Sequence, residues 1–382
     1  MSGWRHCKLG DVINLKRGYD LPHNDRSPGP YPIVSSAGIT DRHSIAKVKG
    51  PGVITGRTGT LGQVFFVEGD FWPLNTSLYV QDFKGNDPRF IAYFLRHLNF
   101  GIRNSAGAVP GINRNHLHTI DVRVPSLPTQ RRITSVLSAY DDLIENSQRR
   151  IHVLEEIARA IYREWFVRFR FPGHDEIPLV ASSLGQIPRG WKIVKLASVA
   201  DVNRSQIDVH GAPDEIRYID ISCVSRGQID AMRIYAFADA PGRARRIVKH
   251  GDILWSCVRP NRRSYAPVMH PESNVIASTG FAVLSAVRVP FTFLYFATTT
   301  DAFVAYLTNN ATGAAYPAVT ATTFEKADIL LPTADLLKKF EDATAPMAEQ
   351  VHTLQRQVHN LNHTRDLLLP RLLSGQVPLS AH

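Results

Sequence analysis

The sequence predicts an α+β protein in which two tandem mixed α/β globular units are separated by two long antiparallel helices and related by a pseudo-twofold internal repeat. Three observations carry this expectation. Two stretches of roughly 40 residues keep an apolar spacing that averages about 3.5. Each follows a much longer stretch that reads as mixed strands and turns, and short signatures recur in the same order in both halves of the chain.

The first stripe comprises Ile133, Leu137, Tyr140, Ile144, Ser147, Ile151, Leu154, Ala158, Ile161 and Trp165, and only Ser147 interrupts its apolar character. The second comprises Leu336, Phe340, Ala343, Met347, Val351, Leu354, Val358, Leu361, Arg365, Leu368 and Leu372. Its one extra step of four, from Met347 to Val351, reads as a stutter. Each helix would reach about 60 Å at 1.5 Å per residue, and a stripe of that length needs a partner of similar length. Pro346 removes a backbone donor, so it should sit in a first turn or kink the second helix, and Pro370 should act in the same way near its end.

The repeat is visible in several pairs. Trp4 opens a segment with Lys, Leu and Val in the places they take after Trp191. Residues 74–80 resemble 277–283, and 112–125 resemble 319–332. These matches divide the chain into a globular unit (1–127), a long helix (128–168), a linker rich in Pro and Gly (169–190), a second globular unit (191–332), a second long helix (333–375) and a tail (376–382). In the first unit, 48–54 and 63–67 read as strands around a Gly-rich turn at 55–62. A short helix is expected over 90–98 and a strand over 119–124. In the second unit, the basic run 242–246 precedes a strand, and the run 259–265 follows another at 252–258. The scaffold repeats while its loops diverge, as expected when loops carry specificity.

A formal net charge of +10 and a pI near 9.6 favour a polyanionic partner. The start of the chain lacks an apolar signal core, and the most apolar stretch, 289–307, is interrupted by Pro290 and Asp301, so a cytoplasmic protein without membrane contact is expected. Cys7, Cys223 and Cys257 are scattered and without C-x-x-C spacing, which indicates free thiols.

Catalytic patterns are weak. The turn at 55–62 lacks the Gly-Lys-Ser/Thr of a phosphate-binding loop. Asp70, Asp82 and Lys84 imitate the carboxylates and lysine of a Mg²⁺-dependent nuclease, but Lys84 leads into a solvated turn. His116 and His118 alternate on a strand-like stretch with no third ligand spaced near them, so no metal site is expected. No Asp/Asn-Pro-Pro-aromatic run of an amino-methyltransferase is present.

Arg and Asn in loops are present instead. Arg can bond guanine O6 and N7 in parallel, and Asn or Gln can do the same at adenine. The candidates in the first unit are Arg57, Thr58, Thr60 and Gln63 in the Gly-rich turn, with Arg103, Asn104, Asn113, Arg114 and Asn115 in the loop that follows. In the second unit they are Arg204, then Arg243, Arg245 and Arg246, then Arg259, Asn261, Arg262 and Arg263, with Tyr316. Clusters of cationic side chains suit phosphate contact as well as base readout.

Three further segments carry a resemblance: Val124-Pro-Ser-Leu-Pro-Thr-Gln-Arg-Arg-Ile133, Ile161-Tyr-Arg-Glu-Trp-Phe-Val-Arg-Phe-Arg-Phe-Pro-Gly173 and Arg365-Asp-Leu-Leu-Leu-Pro-Arg-Leu-Leu-Ser-Gly-Gln376. They resemble the entry into the first spacer helix, its exit and the C-terminal signature of the specificity (S) subunit of type I restriction-modification systems. The chain departs from the family in Pro346 and in Thr129, where Glu is frequent. The resemblance implies two target recognition domains, each binding half of a split site in double-stranded DNA, with the helices as a ruler between them. It implies a non-catalytic chain that binds no cofactor itself. Two methyltransferase (M) subunits would bring S-adenosylmethionine, and restriction (R) subunits, where present, would bring ATP- and Mg²⁺-dependent chemistry. An autonomous Mg²⁺-dependent nuclease and a coiled-coil adaptor without DNA are the alternatives.

Overall fold

The computed structural model describes residues 4–98, 111–183, 185–208 and 211–377. The chain forms two compact units, Met1–Asn146 with Gln357–His382, and Ser147–Arg356, so the division falls inside both long helices. The first long helix spans Leu127–Tyr162 and continues into a π-helical turn, Arg163–Val167; the second spans Ala334–Ser374. Pro128 occupies the first turn of the first helix, where its missing N–H costs nothing. The second helix runs on through Pro346, well past its first turn, and through Pro370.

In the first unit a four-stranded sheet orders Asn14–Arg17, Ser77–Asp82, Gly52–Gly56 and Val64–Val67 as successive antiparallel neighbours. Apolar residues of this sheet pack with the helix Pro88–Leu98 and with Ile133, Leu137, Leu372 and Leu373 of the long helices in one core. A second, three-stranded sheet joins Gly38–His43, Tyr31–Ser35 and Trp72–Pro73. Trp4–Lys8 pairs antiparallel with Asp121–Pro125, and that ribbon leads directly into the first long helix.

The second unit repeats this plan. Ala200–Val202, Phe281–Ala286, Ile253–Ser256 and Tyr265–Pro267 form the matching four-stranded sheet. Phe291–Thr298 stands where the first unit has its Pro88–Leu98 helix, and Lys192–Lys195 pairs with Asp328–Leu331 ahead of the second long helix. Even single bonds recur: the Leu9 N–H donates to the Ile120 carbonyl and the Leu196 N–H to the Ala327 carbonyl, both at 2.8 Å. The second sheet differs, with four strands in the order Arg233–Ala236, Glu215–Ile219, Val275–Ser278 and Ala244–Ile247.

Several expectations change. Residues 169–190, expected as a linker, carry structure of their own: Leu179–Ser182 pairs antiparallel with Gly185–Pro188, and Phe171 and Ile187 are buried in the second unit's core. Residues 114–118 form a short helix, not a strand, so His116 and His118 do not share a strand face. Asn113 caps that helix by accepting the Asn115 N–H at 2.9 Å, and His118 Nε2 accepts the Leu15 N–H at 3.0 Å, which makes it a structural residue. Arg245 and Arg246 lie within the strand Ala244–Ile247, where the sequence suggested a loop before a strand.

The motifs at the helix ends have physical causes. Gln130 is 2% exposed; its Oε1 accepts the Asp87 N–H at 2.9 Å, and its Nε2 donates to Asn86 Oδ1 at 2.7 Å and to the Pro125 carbonyl at 3.0 Å. Asp87 in turn accepts the Phe90 N–H and the Thr134 hydroxyl on Oδ1, so one network fixes the start of two helices. At the other end, Gly375 ends the second helix with φ +76° against the Trp4 ring. Within the seam, Arg365 donates to Asp141 Oδ1 at 2.7 Å while the Tyr93 hydroxyl donates to Oδ2 at 2.5 Å, which accounts for a charge at that heptad position.

Candidate nucleic-acid interface

Each unit carries a loop edge built in the same way. In the first, the chain leaves the strand Gly52–Gly56 and the Arg57 carbonyl accepts the Ile112 N–H at 2.8 Å, with a bridge between Thr58 and Gly111 beside it. In the second, the chain leaves the strand Ile253–Ser256 and the Cys257 carbonyl accepts the Val319 N–H at 2.9 Å, with a bridge between Val258 and Ala318. The sheet thereby delivers one loop, and the segment before the last strand delivers the other, to the same edge.

In the first unit this brings the turn holding Arg57, Thr58, Thr60 and Gln63 next to the helix cap and first turn holding Asn113, Arg114 and Asn115. Arg57 is partly buried, and its Nη1 donates to the Asn75 carbonyl at 3.2 Å, which holds the turn; Thr60, Gln63, Arg114 and Asn115 are exposed. Arg103 and Asn104 lie outside the described residues.

In the second unit the turn Pro260–Arg262 is flanked by Arg259 and Arg263, both left-handed with φ +50° and +57°. The two positive-φ residues reverse the chain tightly and push Asn261 and Arg262 into solvent. The Arg259 guanidinium stacks 4.6 Å from the Tyr316 ring centroid and donates to the Ala315 carbonyl at 3.1 Å, tying the two loops together. Tyr316 remains 69% exposed, so this pair presents a charged and aromatic face. Arg263 is held back by Asp301 at 2.5 Å, and the bond from Arg263 draws the Asp301 carboxyl below its usual range.

The other candidates lie outside these two loops, and of them Arg246 acts on the Cys257 thiol beside the edge. Arg204 sits 3.7 Å from Asp201, and Arg243 is exposed, its carbonyl accepting the Thr279 N–H. Arg245 stacks 5.6 Å from the Phe237 ring. Arg246 is half-buried, its Nε has no hydrogen-bond partner among the described residues, and burial pulls its guanidinium below the ordinary value. A strand position turned into the protein explains this, and the run of basic letters could not show it.

The nuclease candidates serve the backbone. Asp70 Oδ1 accepts the Gly50 N–H at 2.9 Å, Asp82 Oδ1 accepts the Lys84 N–H at 2.8 Å, and the Lys84 ammonium donates to the Gly10 carbonyl. Sequence reading missed an aromatic and basic cluster in the first unit, where Lys47 lies over both the Tyr19 and Trp72 rings; these residues are far apart in the chain, and only the sheet brings them together.

Two repeated β-rich units, each built on a portion of the same two long helices and each offering a paired loop edge with Arg and Asn, define a duplicated, helix-borne α+β fold. A family model described as type I restriction modification DNA specificity domain matches residues 1–156. The specificity subunit of the type I restriction enzyme MjaIX from Methanocaldococcus jannaschii is 24% identical over 70% of this chain, and the chain spans 63% of that protein's length. The HindI specificity subunit from Haemophilus influenzae is 20% identical over 99% of this chain and 100% of its own. In fold, the crystal structure of the type I restriction-modification S subunit from M. genitalium matches with a TM-score of 0.64 at 15% identity, covering 99% of this chain and 97% of that one. The chain is similar to type I restriction-modification specificity subunits in sequence, and it shares the fold of the M. genitalium S subunit. No helix among the described residues is long and apolar enough to cross a membrane.

Proposed function

We propose that this chain is the DNA sequence-recognition subunit of a type I restriction-modification complex, working in the cytoplasm without catalytic chemistry of its own. The recognition domains are 1–127 and 191–332, each reading one half of a bipartite target, with 128–168 and 333–375 as spacer helices. The duplicated loop edge, with its recurring bond from residue 112 to 57 and from 319 to 257, carries this reading. Arg57, Thr58, Thr60, Gln63, Asn113, Arg114 and Asn115 serve the first half-site, and Arg259, Asn261, Arg262 and Tyr316 the second. Methyltransferase subunits, and restriction subunits where the cell has them, dock on the spacer helices, where Leu143, Val153, Ile157 and Leu367 are exposed and apolar. S-adenosylmethionine, ATP and Mg²⁺ belong to those partners.

The test is co-expression with the neighbouring methyltransferase subunit followed by mapping of methylated bases across the host genome. A two-part motif with a constant unspecified gap is expected; a contiguous motif or no methylation would overturn the proposal. Joint substitution Arg259→Ala and Arg262→Ala is expected to lower methylation at least about tenfold through the second half-site alone. Equal loss of discrimination at both halves would reduce these arginines to general electrostatics. Inserting one heptad in both spacer helices lengthens them by about 10.5 Å, or about three base pairs at 3.4 Å each, so the gap should grow by that amount. An unchanged gap would sink the ruler.

A further inference from the structure

A cluster of metal-binding side chains stands apart from the loop edges. The strands Ile253–Ser256 and Tyr265–Pro267 pair antiparallel, and the pairing continues past them as the Val268 N–H donates to the Asp252 carbonyl at 2.7 Å and the Gly251 N–H to the Val268 carbonyl at 2.9 Å. This brings His250 and His270 together at the open end of the hairpin, with ring centroids 4.3 Å apart. His270 holds φ +46°, a left-handed conformation that costs a non-glycine residue on the order of 1 kcal/mol or more. It turns the imidazole toward the second long helix, where Nε2 lies 2.9 Å from both carboxylate oxygens of Glu349. His352, one turn along that helix, has its ring centroid 5.8 Å from that of His270.

We propose that His250, His270 and Glu349 bind a divalent transition-metal ion of the zinc type, with His352 or water completing the shell. One donor atom from each of the first three lies within 4.8 Å of the others. Adjacent donors of a tetrahedral ion at about 2.0–2.1 Å stand about 3.3 Å apart, so small side-chain rotations suffice. Imidazole with one carboxylate is a donor set that suits zinc better than magnesium or calcium. The ion takes the place of the hydrogen bond between His270 Nε2 and the Glu349 carboxylate, and it takes the His250 lone pair, which accepts the His270 backbone N–H in a long 3.3 Å bond. The exposed position lets water fill a vacant coordination site; His270, Arg356 and His250 act on His352 as positive charges and Glu349 as a negative one, and of these Arg356 is the permanent cation that opposes binding. Bound there, the ion cross-links the hairpin of the second recognition domain to the helix that carries it. It would act as a structural staple, stabilising that contact by mass action.

The probe is ZnCl₂, titrated calorimetrically into the untagged, chelator-treated full chain, with Co²⁺ absorption as a second readout. We expect one equivalent to bind, a higher melting temperature with zinc, and a visible cobalt spectrum without a thiolate charge-transfer band. Because loss of a mere supporting partner already costs about 10–100-fold in metal affinity, His250→Ala should weaken binding at least about tenfold. His270→Asn should do the same while keeping the left-handed backbone, since Asn tolerates it. Zinc affinity and stoichiometry unchanged by both substitutions would overturn the site. So would a thiolate band, which would place the ion at a cysteine, although burial pushes the Cys257 thiol up to about 11. The readout involves neither DNA nor the methyltransferase, so it stands or falls independently of the recognition function.

Discussion

Replacing Phe166 by alanine should destabilise the second unit by about 3–5 kcal/mol. Phe166 lies in the π-helical turn that ends the first long helix and is 5% exposed. Its ring centroid sits 5.0 Å from those of Phe293 and Phe340, both edge-on, 5.2 Å from Tyr162 and 5.9 Å from Trp191. It therefore joins the first helix, the second helix, the Phe291–Thr298 helix and the start of the repeat in one aromatic cluster. Removing the ring forfeits the transfer term and leaves a cavity that stiff aromatic neighbours cannot collapse into. Urea denaturation followed by Trp fluorescence measures the loss directly, and Phe166→Leu should recover about half of it by keeping most of the volume. A loss below about 1 kcal/mol for the alanine variant would mean that the cluster is loosely packed.

The helices were the most legible part of the sequence, because their stripe is long and each position repeats the same constraint. Ile133 and Leu137 are buried in the first unit, and Ala158 and Phe340 in the second. Ser147, the one polar letter in the first stripe, is 4% exposed, so it fills the seam by being small instead of interrupting it. A spacing near 3.5 says nothing about the rest of the circumference. Thr344 and Leu337 are buried off the stripe, where the β-rich unit covers a second face near the helix end, and the Thr344 hydroxyl returns a 2.8 Å bond to the Phe340 carbonyl.

The loops were legible as composition and not as geometry. Gly56-Arg57 and the 259–263 run announced turns, and the structure brings Arg57 beside Ile112, and Arg259 beside Tyr316, through contacts between residues distant in the chain. His116 and His118 misled because alternation over so few residues cannot separate a strand from one helical turn; Asn113 as a cap was the available signal. Arg246 misled because a basic letter in a divergent segment reads as solvent-facing, whereas its strand turns it inward. The His250, His270 and Glu349 cluster left no trace in spacing, since a hairpin end and a distant helix supply its members.

Gln130→Leu should cost the first unit about 2–4 kcal/mol although it exchanges a polar core residue for an apolar one of similar size. A buried polar group is worth little while satisfied and much more when its partners are orphaned. The leucine would leave the Asp87 N–H without its acceptor and the Pro125 carbonyl and Asn86 Oδ1 without their donor. Asp87 itself anchors the Phe90 N–H and the Thr134 hydroxyl, so displacement at one residue loosens the starts of both the Pro88–Leu98 helix and the first long helix. Gln130→Glu keeps the shape and the acceptor toward Asp87 but removes the amide donor and buries a carboxylate beside Asn86 Oδ1, so its loss should grow as pH rises through the carboxyl's titration. Melting temperatures of both variants between acidic and neutral pH test the network. Equal and small losses for leucine and glutamate, without pH dependence, would mean that water replaces the Gln130 bonds and that the motif at the helix entry is held by packing alone.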